Sequence, residues 1–450
     1  MRILSLSSLT CVLGVMLGGC ATQSDPFSDM QAEIDARLAE GVTTSEQTSI
    51  DAPDLSEGFS AALRSATQSD ASYRASLAFE QEAASGVGVA QSALSPQFTG
   101  GATIGGLREL DPVNETSSGA AANITVSQLI YDGGVSQATI SRATALALVA
   151  RAERAERGNS VALDAARAWI DLWQASERLA LLDRKTSGLS DIMGQIDRMA
   201  ANGMMNRASV EGARRQILDI RLERESLQAL VADAQIRFAR YFGVSTDTVA
   251  QPEFVVSPAI AAERSQEWRS APSLQKAAAE ILAARGTQSE ARAAFQPTVS
   301  LQAGVRSPLD AADSTDLNAG FQVQYVFGDG GRRAERLEAA TSRVEALEAQ
   351  LEATMAAERT ASDASLRRLD SVDQTLVLLD EKVALTASQA SVAESQIATG
   401  QASLQLLIGA KIENYRALDR QIQLRAEKHV LLLSIAGQLG FLTDVIELRP

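Results

Sequence analysis

The sequence is poor in the residues that form disulfides, metal sites and nucleophilic catalytic centres. It has two cysteines and one histidine in 450 residues. Cys11 and Cys20 both belong to the first twenty residues, so the rest of the chain has no thiol for a disulfide or a thiolate metal site. His429 has no second histidine or cysteine with which to bind a metal or activate a nucleophile. We therefore expect no enzymatic activity, no metal and no cofactor.

Proline, aromatic residues and basic charge are also scarce. The 10 prolines fall mostly in a few clusters and aromatic residues make up 4% of the chain. Long stretches without proline favour long helices over several compact globules. The net charge is −15, with 56 acidic and 41 basic residues and no concentrated basic face. This charge argues against a nucleic-acid partner, since phosphate binding requires such a face.

The N-terminus has the pattern of an export signal. Met1-Arg2 supplies a positive charge, an apolar run follows to Leu17, and Gly18-Gly19-Cys20 closes the run with small residues. The apolar run is too short to be a stable transmembrane helix. The segment resembles a bacterial lipobox, which implies a signal peptide over 1–19 and a lipid on Cys20. An ordinary signal peptide with an incidental cysteine is the alternative.

The chain contains one internal duplication. A segment ending in Tyr-Asp-Gly-Gly at 131–134 has a counterpart ending in Phe-Gly-Asp-Gly-Gly at 327–331. After the inserted residue the spacing between the copies is 197 (330 − 133), and the same spacing separates Gly203 from Gly400. A further echo pairs Ser-Pro-Gln at 95–97 with Gln-Pro-Thr at 296–298. Landmarks that recur in the same order indicate a tandem repeat.

Each repeat is predicted to hold a helix, two strands joined by a polar loop, and a long antiparallel helical hairpin. The predicted segments are a signal peptide 1–19, a lipidated tether 20–58 with partial helix, a first repeat 59–243, a connector 244–271, a second repeat 272–442 and a C-terminal tail 443–450. The strands are placed at about 96–106, 121–131, 297–305 and 320–327, the hairpins at about 134–243 and 331–440, and the leading helices at about 60–93 and 272–295.

The strands alternate between apolar and polar residues. Val299, Leu301 and Val305 share one face, while Ser300 and Gln302 share the other. A half-buried sheet in a soluble domain would give this pattern, and so would strands of a membrane barrel. Four strands cannot close on themselves, and lipid does not tolerate an open sheet edge. In the membrane interpretation several chains must pool their strands, and a trimer would give twelve.

The hairpin helices are too long for a compact domain. Residues 331–397 contain neither proline nor a further glycine after Gly331, which at about 1.5 Å per residue spans roughly 100 Å. Leu369, Leu376 and Val383 recur at steps of seven, which is typical of supercoiled helices. This signal alone is equally that of a generic coiled-coil protein.

These features together resemble the TolC-like outer-membrane factors of bacterial tripartite efflux and type I secretion systems, over about residues 60–442. The resemblance rests on the repeated strand–loop–strand–hairpin unit, on the turns that contain Gly133, Gly134, Gly330 and Gly331, and on the tip residues Gly203 and Gly400. It implies a mostly α fold with a small β part, forming a homotrimer whose twelve-strand β-barrel is continuous with an α-helical barrel. It also implies a periplasmic adaptor and an inner-membrane pump, proton-driven or of the ABC type, as partners. The expected location is the bacterial outer membrane, with lipid contact, a lipid anchor and an extension into the periplasm.

The resemblance also assigns two contact regions. The residues implied at the adaptor-contact tips are Asn202, Gly203, Met204, Thr399, Gly400 and Gln401. Family members often narrow the tunnel entrance with acidic residues just beyond the second tip, but here Leu406 and Gly409 occupy those positions and the first carboxylate is Glu413. An entrance gated by apolar packing rather than by an acidic ring is therefore expected.

The predicted function is a passive export duct that carries substrates from the pump across the periplasm and outer membrane. A coiled-coil envelope lipoprotein that tethers membranes without a pore is the alternative. Drug efflux and protein secretion both use such a duct, and the sequence leaves the choice between them open.

Overall fold

The protein, analysed as a computed structural model, divides into two compact units, Met1–Ala52 and Pro53–Pro450. The structure describes residues 30–38, 58–108, 116–187, 194, 198, 201, 202, 207–307, 315–398 and 404–448. In the first unit, residues 30–38 form an exposed helix. The predicted signal peptide, Cys20 and most of the tether lie outside the described residues. The second unit holds all the structure discussed below.

The second unit repeats one series of elements. The first copy contains α1 (Phe59–Ser69), α2 (Ala71–Ser92), β1 (Gln97–Arg108), β2 (Thr116–Tyr131), α3 (Val135–Thr186) and α4 (Arg207–Phe242). The connector contains α5 (Pro258–Ser265) and a 3₁₀ turn (Trp268–Ser270). The second copy contains α6 (Pro272–Ala293), β3 (Thr298–Arg306), β4 (Asp316–Gln324), α7 (Arg332–Ala398), α8 (Leu404–Gln438) and the short α9 (Leu442–Val445).

The leading helix of the first repeat, predicted as one helix over about 60–93, is broken into α1 and α2. Asp70 separates them with an extended backbone (φ −64, ψ 129). Its carboxylate accepts hydrogen bonds from the N–H groups of Ser72 at 2.8 Å and Tyr73 at 3.1 Å. Asp70 therefore caps α2, because these N–H groups have no partner within the helix.

The four strands form one antiparallel sheet in the order β1-β2-β3-β4, with bounds that differ from the prediction. β2 begins at Thr116 instead of 121, since its pairing with β1 continues to Arg108. β4 runs over Asp316–Gln324 instead of 320–327. It ends there because Gln324 pairs with Thr298, the first residue of β3, and Pro297 before it has no N–H to donate.

The main hydrophobic core surrounds Trp169 of α3, far along the helix from the sheet. The Trp169 ring lies 5.4 Å from Phe59, 5.7 Å from Phe238 and 5.6 Å from Phe242, measured between ring centroids. Its indole N–H donates to the Ala250 carbonyl at 2.9 Å. This contact fixes the connector to the first hairpin.

The C-terminal residues, predicted as a tail from 443, belong to this core as far as Leu448. Leu442 and Ile446 are fully buried. Gly440 has a φ of +81°, which lets the chain turn back after α8. The tail prediction missed this because α9 has only four residues, too few for a periodicity.

The long helices follow the predicted seam. In α7, which has 67 residues, Leu369, Val372 and Leu379 are buried. In the described part of the chain α7 runs antiparallel to α8, which gives the second repeat its hairpin. At about 1.5 Å per residue α7 is roughly 100 Å long.

Candidate functional site

The sheet has one apolar face, which the strand register assembles. Residues opposite each other in antiparallel strands share a face. Ile124 of β2 pairs with Val305 of β3, which pairs with Leu317 of β4. Leu301 pairs with Phe321 in the same way. These side chains are exposed, Leu317 by 79% and Phe321 by 71%, so in the single chain the sheet presents an uncovered apolar surface.

The opposite face of the sheet is polar. Ser127 pairs with Gln302, which pairs with Gln322, and the two glutamine side chains are hydrogen-bonded to each other. On the next polar row Gly304 pairs with Asn318. The alternation read from the sequence therefore produces a sheet with two chemically different surfaces.

The outer strands of the sheet are β1 and β4. Among the residues that the structure describes, each of these strands pairs with one neighbour only. Their outward N–H and C=O groups form a row that another strand can pair with.

The first strand-to-helix turn has the geometry that its glycines predict. Gly133 has a φ of +70° and Gly134 a φ of +96°, which L side chains rarely adopt. The Asp132 carboxylate accepts hydrogen bonds from the N–H of Gly134 at 2.9 Å and of Ser136 at 2.6 Å. Partial burial acts to raise the pKa of Asp132, but these hydrogen bonds outweigh it and lower the pKa below its usual value.

The second turn adds an ion pair that the sequence analysis missed. Gly330 and Gly331 have φ values of +69° and +89°. The Asp329 carboxylate accepts from the Nε of Arg333 at 2.8 Å, and Arg333 also donates to the Val326 carbonyl at 2.7 Å. Partial desolvation acts to raise the pKa of Asp329, but the bonds from Arg333 prevail and lower it. An Asp and an Arg four residues apart at a helix start are the available signal for this pair.

Most residues predicted at the hairpin tips lie outside the described residues. These are Gly203, Met204, Thr399, Gly400 and Gln401. Asn202 is described: it is an exposed turn residue whose N–H donates to the Arg198 carbonyl at 3.1 Å.

The three residues predicted at the tunnel entrance lie together on one groove between α7 and α8. The groove has a volume of about 780 Å³ and is lined by Ser388, Gln389, Val392, Ala393, Gln396, Leu406, Gly409, Ala410 and Glu413. Leu406 is 54% exposed. Lys382 Nζ lies 2.9 Å from the Glu413 carboxylate and, by this hydrogen bond and its charge, lowers the pKa of Glu413.

Two polar contacts join α8 to the first hairpin. Arg178 of α3 binds the Asp419 carboxylate with two hydrogen bonds, at 2.6 and 3.2 Å. The Tyr415 hydroxyl donates to Glu223 of α4 at 2.8 Å, and burial together with this carboxylate raises the Tyr415 pKa. No sequence pattern indicates these pairs, because the partners are 241 and 192 residues apart along the chain.

Among the residues that the structure describes, no helix is both long and apolar enough to cross a membrane. In the same part of the chain, no group of three or more His, Cys, Asp or Glu side chains is placed so that it could hold a metal ion.

Comparison with known proteins identifies the same architecture. The family model for outer membrane efflux proteins matches residues 264–440. The structure of CusC, described in connection with transmembrane channel formation, superposes with a TM-score of 0.72 at 18% identity, covering 84% of this chain and 91% of that one. The CmeC outer membrane channel of Campylobacter jejuni gives 0.74 at 14% identity, covering 87% of each chain. The open state of the MtrE outer membrane channel of Neisseria gonorrhoeae gives 0.71 at 16% identity, covering 87% and 90%.

A search of curated protein sequences finds no match to this chain. The solved structures, all under 25% identical, establish the fold, which is mostly helical with a small antiparallel sheet. The likeness to TolC-like efflux proteins that the sequence predicts is confirmed.

Proposed function

We propose that this chain, whose residues 264–440 match the outer membrane efflux protein family, is one protomer of a trimeric export channel in the bacterial outer membrane. The observation that carries the proposal is a four-stranded sheet with one exposed apolar face, one polar face and two open edges. An exposed apolar surface of this kind marks contact with lipid or protein.

A trimer gives the backbone groups at both open edges of the sheet hydrogen-bond partners in a bilayer. Unpaired backbone groups cannot remain in hydrocarbon, so β4 of one copy must pair with β1 of the next. Three copies of a four-stranded sheet supply twelve strands and leave no edge. The apolar face then contacts lipid and the polar face, with Gln302 and Gln322, lines the lumen.

The helices extend the channel into the periplasm. Three pairs of hairpins of roughly 100 Å form a helical tunnel that continues the barrel. The tips, with Asn202, Gly203 and Met204 on one hairpin and Thr399, Gly400 and Gln401 on the other, contact a periplasmic adaptor. The adaptor connects the channel to an inner-membrane pump, either proton-driven or of the ABC type. A lipid on Cys20 adds an anchor in the outer membrane, and transport through the channel is passive.

The tunnel entrance is narrowed by apolar and small residues. Leu406 and Gly409 face the groove beside the second tip, and the Glu413 carboxylate is neutralised by Lys382. A ring of free carboxylates would bind divalent cations, which prefer oxygen ligands. We expect millimolar calcium to leave the conductance of the channel unchanged. Leu406→Asp should make the conductance sensitive to calcium. Ser388→Asp, on the same groove, is the matched control for the added charge.

Site-directed spin labels test the orientation of the sheet. A label at Phe321→Cys should be accessible to oxygen dissolved in lipid and protected from a water-soluble nickel chelate. A label at the neighbouring Gln322→Cys, which points to the other face, should show the reverse. Equal exposure of both labels to the chelate in reconstituted protein would refute a lipid-facing sheet and leave the tethering lipoprotein as the better interpretation.

A further inference from the structure

The internal repeat provides a template for contacts between copies. Within one chain α3 of the first repeat packs antiparallel along α6 of the second repeat. The equivalents of these helices in the other repeat are α7 and α2. Positions on α3 and α7 correspond at a spacing of 197, set by Gly133 and Gly330. Positions on α2 and α6 correspond at 201, since both have 22 residues and begin at Ala71 and Pro272.

Close packing and ion pairs hold the α3–α6 contact inside the chain. Arg142 Nε lies 2.8 Å from the Glu290 carboxylate. A Cβ added to Gly286 would lie 2.7 Å from the Arg142 Cβ, so the backbones approach closely at this point. About three turns away, Lys276 Nζ lies 2.8 Å from Glu153.

The corresponding positions on α7 and α2 are uncharged and uncovered. Arg142 and Glu290 correspond to Ala339 and Val89, and Gly286 corresponds to Ser85. All three counterparts are exposed in the single chain, Val89 by 71%.

Each ion pair of the α3–α6 contact has lost both of its charges at the equivalent positions of α7 and α2. Where one chain pairs Arg with Glu, the equivalent surfaces present Ala and Val, and where it pairs Lys276 with Glu153 they present Ala75 and Gln350. Paired loss of complementary charges is what two surfaces that meet each other require, because an unmatched buried charge is costly.

The second strand-to-helix turn lacks, within the single chain, a neighbour that the first turn has. Gly133 lies against Gln296, whose Cβ would be 2.2 Å from an added Cβ. Gly330 has the same backbone conformation, but no atom lies within 4 Å of its Cβ position. The equivalent of Gln296 is Ser95, which is exposed between α2 and β1 of the first repeat.

We infer that α7 of one copy packs antiparallel on α2 of the next copy, with Ala339 against Ser85 and Val89, and with Gly330 beside Ser95. This inference rests on the proposed homotrimer and specifies its interface. The contact between copies repeats the contact within the chain, with uncharged residues at the positions of these ion pairs. Six contacts between repeats then alternate around the ring, three within chains that carry these ion pairs and three between chains that do not.

Disulfide cross-linking tests the register, since a disulfide requires Cβ atoms about 3.5–4.5 Å apart. The experiment uses full-length protein purified in detergent, in a background with Cys11→Ala and Cys20→Ala that has no native cysteine. Ser85→Cys combined with Ala339→Cys should give covalent trimers on a denaturing gel after mild oxidation. Arg142→Cys combined with Glu290→Cys, at the ion-paired positions that correspond to Ala339 and Val89, lies within one chain and should oxidise but remain a monomer on the gel.

Ser85→Cys combined with Ala346→Cys is the register control. Ala346 is exposed on the same face of α7, about 10 Å further along, and should not cross-link. Cross-linking of this pair in preference to Ser85 with Ala339 would overturn the register. Ala75→Cys with Gln350→Cys, bridged by a bifunctional thiol reagent because Lys and Glu side chains span the equivalent contact, provides an independent pair if the first variant does not assemble. Its failure to cross-link in an assembled trimer would overturn the inference as well.

The native mass separates this inference from the proposed function. A trimer by native mass in which neither designed pair cross-links refutes the interface and leaves the trimeric channel standing. A monomer by native mass, for the unmodified protein, refutes the proposed trimer itself.

Discussion

Gly133→Ala should destabilise the protein more than any other substitution in the same turn. The backbone at Gly133 has a φ of +70°, where an L residue costs about 1–2 kcal/mol. The new Cβ would also lie 2.2 Å from the Cβ of Gln296 and 2.9 Å from the Ala293 carbonyl oxygen. Neither atom can move by rotation of a side chain, so overpacking adds about 1–3 kcal/mol. The expected loss is about 2–5 kcal/mol.

Gly134→Ala is the matched control for this prediction. Gly134 has a φ of +96°, but nothing lies within 4 Å of its Cβ position. Its substitution should cost the backbone strain alone, about 1–2 kcal/mol. Urea unfolding of the purified protein, followed by far-UV circular dichroism, compares the two variants. If Gly134→Ala lowers the urea midpoint as much as Gly133→Ala does, the contact between the turn and the end of α6 contributes nothing.

Three further predictions concern other parts of the molecule. Burial lowers the pKa of His429 to about 4, whereas the pKa in the unfolded chain is about 6.5. The free energy of unfolding should therefore fall by at most about 3 kcal/mol as the pH drops through this window. His429→Leu should remove that pH dependence of the urea midpoint. Asp132→Ala removes two hydrogen bonds to N–H groups and should cost about 1 kcal/mol of unfolding free energy, by the same assay. Arg178→Met leaves the part-buried Asp419 without its cation and should lower the free energy of unfolding by about 2 kcal/mol. Adding Asp419→Leu to this variant should recover part of that loss in urea unfolding. If the two substitutions lower the free energy of unfolding additively, the ion-pair account is contradicted.

Local chemistry explains which features could be predicted from the sequence. The turns were predictable because Gly133 and Gly134 adopt φ values that few other residues tolerate. The two faces of the sheet were predictable because side chains alternate strictly along a strand. The long helices followed from the absence of proline and from the heptad spacing of Leu369 and Leu376.

Features that depend on distant partners could not be predicted in this way. The Tyr415–Glu223 and Arg178–Asp419 contacts join residues that neither periodicity nor spacing relates. The division of the leading helix at Asp70 was missed because an Asp inside an apolar pattern has no unique interpretation; it is an N-cap only when the backbone before it turns away.

The strand ends were also decided by partners. β4 stops at Gln324, although Tyr325 and Phe327 continue the alternation, because β3 offers no residue beyond Thr298 with which they could pair. A single strand's sequence does not contain this limit. The duplication was more informative, because comparison of the two repeats located both turns.

Conductance across a planar lipid bilayer tests the central claim most directly. Purified full-length trimers added to one side should produce discrete, uniform current steps, since a closed barrel with a polar interior conducts ions. A bilayer that stays silent with well-folded trimers bound to it would contradict the proposed channel.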